Sequence, residues 1–116
     1  MFSEYEPITA SYEELRSDPE FKAIWGTPRY PPSDLSRAVA GLRTMPECDE
    51  RNTLAETVWW DIADKAGVSR AVIAAVKALR PPLSWTPPPY TLAQHRGIRR
   101  KLEQWGWHFS RGSEEA

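Results

Sequence analysis

A chain of 116 residues with 41% hydrophobic residues, including six tryptophans, is long enough for one domain with a modest core. Its single cysteine excludes an internal disulfide bond, and its acidic start, MFSEYEPIT, lacks the apolar core of a signal peptide. No apolar run approaches the length of a membrane-spanning helix. We therefore expect a soluble cytoplasmic protein with no membrane partner, formed as a single helical domain over residues 1–116.

Charge is unevenly distributed along the chain, although the formal net charge is only −1. Residues 1–69 contain 7 Lys and Arg against 13 Asp and Glu, whereas residues 70–111 contain 8 Lys and Arg against one acid, Glu103. A basic C-terminal half is the asymmetry that nucleic-acid binding requires. The alternative is intramolecular, because the acidic half could equally neutralise the basic half across the domain.

Three short helices are predicted in the first part of the chain. Each begins after a side chain that can accept a hydrogen bond from a free backbone N–H. The starts are Ser11, with Glu14 completing a capping box; Asp18, with Pro19 in the first turn; and Ser33 or Asp34. We expect the second helix to end at Gly26 and the third near Arg43, followed by a polar loop over residues 44–52.

Residues 53–79 are predicted to form two helices joined by a tight turn. Thr53 and Glu56 have the spacing of a capping box for the first helix, and Ser69 is a good N-cap for the second. Gly67 can adopt a positive φ at the turn without steric cost. Apolar residues with helical spacing, followed by a proline pair that ends the helix, complete the pattern: Val72, Ile73, Val76 and Pro81-Pro82.

Within this segment, residues 62–69, IADKAGVS, resemble the DNA-binding helix-turn-helix of the lactose-repressor family. An ordinary helical hairpin would use the same caps and small residues. In DNA-binding members of the family, the first residues of the second helix reach base edges in the major groove. The resemblance implies a helix-turn-helix over residues 53–80 and a nucleic-acid surface that includes Ser69, Arg70, Ala71, Ala75 and Lys77. Arg70 could pair with guanine, whereas alanine cannot hydrogen-bond a base edge.

Residues 80–90, RPPLSWTPPPY, are too rich in proline for a helix and should run extended in polyproline II form. Such a segment could dock in an aromatic groove on a partner. We favour the alternative, in which it lies across its own domain with Trp85 packed inward.

A final helix is predicted from the capping box of Thr91 and Gln94 to Gly106. One face is apolar and should join the core, with His95 as a core residue rather than a catalytic base: Leu92, His95, Ile98, Leu102 and Trp105. Basic residues cluster around the other side and suit phosphate groups: Arg96, Arg99, Arg100 and Lys101. The alternatives are a solvated face, or one covered by the acidic N-terminal half.

Beyond this helix, residues 107–111 are aromatic and could form a short C-terminal strand, used either to close the core or to stack on bases. No Cys and His set has zinc spacing, and no glycine-rich phosphate loop is present in the sequence. The acids beside Cys48 disfavour its thiolate. We therefore expect no catalytic residues, no metal site and no cofactor.

These patterns predict an all-α, compact bundle of about five helices that contains a helix-turn-helix and proline-rich connectors. The main functional hypothesis is a small transcriptional regulator that binds double-stranded DNA as a homodimer. The alternative is a non-enzymatic protein-interaction module, such as a phage or mobile-element inhibitor of a host complex that handles nucleic acid. Because neighbours on a helix lie about 100° apart, Trp59 and Trp60 cannot face one core direction, and one of them could anchor a partner. Glu13 and Glu14 could then engage a basic surface on that partner.

Overall fold

The computed structural model describes residues 3–25 and 29–109, apart from the side chains of Tyr12 and Arg29. It confirms a compact, mainly helical bundle. Its described helices are α1 (Tyr12–Ser17), α2 (Pro19–Trp25), α3 (Ser36–Thr44), α4 (Asp49–Ile62), α5 (Arg70–Ala78) and α6 (Leu92–Gln104). Two strands of two residues each, β1 (Arg29–Tyr30) and β2 (His108–Phe109), pair antiparallel. Among these helices, none is long and apolar enough to cross a membrane.

The first two helices begin where their capping residues predict. The Ser11 side chain accepts from the backbone N–H of Glu14, and Asp18 Oδ1 accepts from those of Glu20 and Phe21 at 2.9 and 3.1 Å. These bonds satisfy N–H groups that have no partner inside the helix. The predicted end of α2 at Gly26 lies outside the described residues.

The predicted start of α3 was wrong by one or two residues. The helix begins at Ser36, and its N-cap, Leu35, makes no side-chain cap bond. Leu35 is buried in the main core instead. Asp34 forms the local turn before the helix, since its Oδ1 accepts from the Ser36 N–H at 3.0 Å. That hydrogen bond lowers the pKa of Asp34.

The start of α4 differs most from prediction. The helix begins at Asp49, so residues 49–52 are helical rather than loop, and Cys48 caps it by accepting from the Arg51 N–H at 3.5 Å. The capping box expected at Thr53 and Glu56 was therefore wrong, because both residues lie inside the helix. Their side chains bond to residues that follow α5.

The connection between α4 and α5 is longer than the tight turn that we expected. Because α4 ends at Ile62, seven residues (63–69) separate it from α5, against the three or four typical of a helix-turn-helix. Two features were predicted correctly: Gly67 has φ +88°, and Ser69 caps α5 by accepting from the Val72 N–H at 3.2 Å.

The main hydrophobic core lies between α3, α4, α5 and α6. Its fully buried members include Leu42, Leu54, Val58, Val76, Ile98 and Leu102. A second, smaller cluster joins the N-terminal segment and α2 to the start of α6 through Ile8, Ile24 and Leu92. Helix α4 packs against α3, α5 and α6, and is therefore the helix on which the bundle is assembled.

The C-terminal aromatic residues close the core, one of the two uses expected for them. Trp107 is buried, and its indole N–H donates to Asp61 Oδ2 at 2.9 Å. Strand β2 follows directly and pairs His108 with Tyr30. The remainder of the predicted 107–111 segment lies outside the described residues.

Candidate functional site

The connector (residues 80–90) contains no helix and lies along α4. Three side-chain contacts hold it there. They join Arg80 to Glu56, Trp85 to Asp49, and Tyr90 to Thr53. Trp85 is half-buried and its indole N–H donates to Asp49 Oδ1 at 2.8 Å, so the connector packs on its own domain as predicted. Trp85 belongs to neither hydrophobic cluster of the described residues, so the inward packing predicted for it was not found.

The contact between Arg80 and Glu56 is a bidentate ion pair. Arg80 Nε donates to Glu56 Oε1 at 2.7 Å and a second guanidinium nitrogen donates to Oε2 at 3.3 Å. The hydrogen bond from Glu56 raises the pKa of Arg80. The guanidinium also lies 4.7 Å from the ring centroid of Trp59. Trp59 is therefore half-buried beneath Arg80 and packed against the core, which leaves it little surface for a partner.

Trp60 points away from the core, as expected for one of two adjacent tryptophans. Its side chain is 66% exposed, and Leu83 of the connector is 98% exposed. Both line a cleft of about 430 Å³ between α4 and the connector, which we name the α4–connector cleft. Its apolar walls are formed by Trp60, Trp85, Leu83, Pro81, Pro82 and Pro87.

The polar groups on the α4 wall of this cleft are already engaged within the protein. Thr57 Oγ1 donates to the carbonyl of Thr53 at 2.8 Å, and the Thr53 hydroxyl shares a hydrogen bond of 2.9 Å with Tyr90 Oη. Burial raises the pKa of Tyr90. The surface available to a ligand in the cleft is therefore mainly apolar. The partly exposed ion pair of Glu56 and Arg80 also lies in its wall.

Sequence analysis identified Trp60 but missed the connector residues that complete the cleft. One signal was available: Thr53, Glu56 and Trp60 lie at helical spacing along α4 and line one side of the cleft. The first two residues also match the sequence pattern of a helix cap.

The predicted nucleic-acid residues of α5 are partly exposed. Ser69, Arg70, Ala71 and Lys77 are on the surface, with the Ser69 hydroxyl used as the helix cap. Ala75 is half-buried and packs against the main core. The exposed residues of α5 are thus two cations and three alanines, and Ala75 lies on its inner side.

The predicted phosphate-binding residues of α6 have different surroundings from one another. Arg99 donates to the carbonyls of Ala23 and Ile24 at the end of α2, and only 14% of its side chain is exposed. A cation at this position also suits the negative end of the helix dipole. Its guanidinium lies 4.8 Å from the ring centroid of Phe109. Arg99 therefore ties α2 to α6 and leaves little of its guanidinium for phosphate.

The other basic residues of α6 are more accessible. Arg96 is 47% exposed and pairs with Glu4 at 3.7 Å, an instance of the acidic N-terminal half meeting the basic half. Arg100 is exposed and Lys101 is half-buried. Helix α6 packs mainly on α2 and α4, whereas α5 packs mainly on α3 and α4.

His95 is a core residue, as predicted. Its Nδ1 accepts from the indole N–H of Trp25 at 3.2 Å, and its ring makes edge contacts with Phe21 and Tyr90. Burial lowers the pKa of His95. Because Nδ1 is an acceptor in this bond, the imidazole is neutral.

Glu13 and Glu14 are exposed in the first turn of α1. Within the described ranges, no group of three or more His, Cys, Asp or Glu side chains could hold a metal ion. No protein-family model, curated protein or solved structure matches the chain.

Proposed function

We propose that the chain is a protein-interaction module whose partner binds in the α4–connector cleft. The observation that carries this proposal is that two large, exposed apolar side chains, Trp60 and Leu83, line the same cleft. Isolated exposed apolar residues are ordinary, but a contiguous group around a concavity is typical of binding surfaces. Burial of each side chain by a partner would contribute about 2–3 kcal/mol, and tryptophan is enriched among the residues that dominate binding energy.

The cleft is also held in shape before any partner arrives. Pro81, Pro82 and Pro87 restrict φ along the connector. The ion pair of Arg80 with Glu56 and the hydrogen bond of Trp85 to Asp49 fix its position on α4. A surface ordered in advance loses less conformational entropy on binding, which favours affinity.

The test compares partner capture by the wild type with capture by Trp60→Ser and Leu83→Ser. Tyr5→Ser is the matched control, because Tyr5 is 78% exposed and does not line the cleft. We expect one protein to be recovered in stoichiometric amount by the wild type and by Tyr5→Ser. Its affinity, measured with the purified partner, should fall about a hundredfold when Trp60 is truncated, a loss of about 2.7 kcal/mol.

Circular dichroism must first establish that each variant keeps the wild-type helix content. A partner that binds both cleft variants as tightly as the wild type would refute the proposal. Loss of binding in Tyr5→Ser alone would refute it too, since that result would place the interface at the N-terminal segment.

Double-stranded DNA binding is the second candidate function. It is favoured by the exposed start of α5, at Ser69, Arg70 and Ala71, and by the packing of α3 on both α4 and α5. Two features argue against DNA binding: the connection before α5 has seven residues, and Ala75 faces inward. We therefore rank it below protein binding.

A gel-shift salt titration with random duplex tests this second function. DNA binding predicts a steep loss of affinity as salt rises. Arg100→Ala should then weaken binding on all sequences, and Arg70→Ala should change sequence preference. No duplex binding at low salt, or a flat salt response, would eliminate it.

A further inference from the structure

The charge around the α4–connector cleft is acidic at one end. Asp49 and Glu50 are exposed in the first turn of α4, one helical turn before Thr53, and Glu47 is exposed just ahead of them. Asp49 lies at the edge of the cleft because its Oδ1 accepts from Trp85, and among the described residues its second carboxylate oxygen makes no hydrogen bond or ion pair.

Neither Arg51, the next cation along α4, nor Arg80, the cation in the cleft wall, forms an ion pair with this acidic end. Arg51 is two residues before Thr53, which places it about 160° around the helix from the cleft wall. Its guanidinium donates to the side chain of Asn52. Arg80, which does line the cleft, is already paired with Glu56. A partner segment that approaches the cleft therefore gains from a positive charge at this end.

The backbone of the walls decides which ligand conformation fits. The N–H and C=O groups of α4 are bonded within the helix along the cleft, and Pro81, Pro82 and Pro87 have no N–H. The α4 wall therefore cannot extend a β-ladder, and the connector wall lacks a donor at three positions, so a β-strand ligand would leave many of its own ladder groups unpaired. A polyproline II segment forms no ladder and presents flat apolar rings to indole side chains.

Two donors remain for the carbonyl groups of such a segment. The indole N–H of Trp60 has no hydrogen-bond partner among the described residues. The guanidinium of Arg80 has N–H groups beyond the two that contact Glu56. Indole N–H donors beside exposed ring faces are the features by which aromatic grooves bind proline-rich segments.

We propose that the cleft binds an extended, proline-containing segment whose prolines contact Trp60 and Trp85 and whose Lys or Arg reaches Asp49 and Glu50. This inference rests on the proposed protein-interaction function and specifies the chemistry of its partner. Glu50 precedes Trp60 by ten residues, or about 15 Å along α4. Polyproline II rises 3.1 Å per residue, so the cation should lie about five residues from the proline that contacts Trp60.

The test uses synthetic peptides of about ten residues and the full chain. The first has a Pro-Leu-Pro-Pro core and an arginine about five residues away. In the second, glutamate replaces the arginine. In the third, alanines replace the prolines, which favours a helix. Binding is followed by the indole N–H signals of the six tryptophans in a ¹⁵N correlation spectrum and by fluorescence anisotropy.

We expect the arginine peptide to shift the indole signals of Trp60 and Trp85 and to leave that of the buried Trp107 unchanged. The glutamate peptide should bind about tenfold more weakly. Affinity for the arginine peptide should also fall between about 0.05 and 0.3 M salt. The double variant Asp49→Asn, Glu50→Gln should reduce the preference for arginine over glutamate to less than about twofold. Glu14→Gln, a change in the first turn of α1, should leave it intact.

Three results would overturn the inference. Equal affinity for the arginine and glutamate peptides would remove the role of Asp49 and Glu50. Tighter binding of the alanine peptide would show that the cleft takes a helix. If no peptide binds but binding of the captured protein still requires Trp60, the partner chemistry is wrong and the proposed function stands. If binding of the captured protein does not require Trp60 either, the proposed function is refuted as well.

Discussion

Gly41 of α3 lies directly against the indole ring of Trp105, at the end of α6. A Cβ built at Gly41 would lie 2.4, 2.6 and 2.8 Å from Cζ2, Cε2 and Nε1 of Trp105. Carbon atoms in ordinary contact are about 3.5–4.0 Å apart. Trp105 is only 8% exposed and belongs to the main core, so its rigid ring cannot move aside without disturbing its neighbours. Gly41→Ala should therefore strain the packing of α3 on α6.

Gly97→Ala provides the matched control for the magnitude of this effect. Gly97 lies within α6, and a Cβ there would meet no atom within 4 Å. Both substitutions gain about 1 kcal/mol of helix propensity. Overpacking costs about 1–3 kcal/mol, and it applies only at Gly41. We expect Gly97→Ala to stabilise the protein by up to about 1 kcal/mol and Gly41→Ala to be less stable than Gly97→Ala by about 1–3 kcal/mol.

Urea unfolding followed by circular dichroism measures this difference directly, because the propensity gain cancels between the two variants. In thermal unfolding it corresponds to roughly 4 °C per kcal/mol for a chain of this size. Equal unfolding free energies for the two variants would refute the packing of Trp105 on Gly41.

Three further predictions concern stability. Because burial lowers the pKa of His95 below 6.5, the unfolded chain binds the proton more readily, so the contribution of His95 to the unfolding free energy should be constant above about pH 7 and decrease below about pH 6.5. His95→Gln should remove this dependence between about pH 5.5 and 7.5, and an unchanged pH profile would contradict it. Thr91→Ala should lower the free energy of unfolding in urea by about 1 kcal/mol, because the capping box with Gln94 is lost. Thr91→Ser keeps the hydroxyl and should lower it little, so equal decreases for the two variants would exclude the cap. A double-mutant cycle with Arg80→Gln and Glu56→Gln should give a coupling energy of about 0.5–1 kcal/mol, since both side chains are 26% exposed, and strict additivity would show that the pair contributes nothing.

Helix α6 could be predicted almost completely from sequence because its signals are local. The Thr91 hydroxyl and the Gln94 side chain form the expected reciprocal cap, and Gly106 has the positive φ, +100°, that ends the helix. The buried face follows from residue spacing alone, with Ile98 and Leu102 fully enclosed. Such features involve residues at most four positions apart, so a single sequence contains them.

The start of α4 could not be predicted in this way. Thr53 and Glu56 match a capping box, yet their side chains bond to Tyr90 and Arg80, which lie 37 and 24 residues further along the chain. A local pattern and a distant contact use the same residue types, and only the folded chain distinguishes them. Cys48, the actual cap, is not among the strongly preferred capping residues.

The α4–connector cleft was only partly predictable for the same reason. The outward direction of Trp60 follows from helix geometry, whereas the position of Leu83 depends on how the connector crosses α4. Arg99 shows the converse case. Its spacing indicates a basic face, but the end of α2 comes to lie beside it and occupies the guanidinium.

Photo-crosslinking from position 83 tests the proposed binding surface most directly. A photo-reactive amino acid in place of Leu83, which is 98% exposed, would lie in the wall of the cleft without disturbing the core. We predict a crosslink to one protein in extracts of the source cells, lost when Trp60→Ser is added and absent when the same amino acid replaces Tyr5. Crosslinks to nucleic acid, or crosslinks to a protein that persist with Trp60→Ser, would contradict the assignment of this cleft as a protein-binding site.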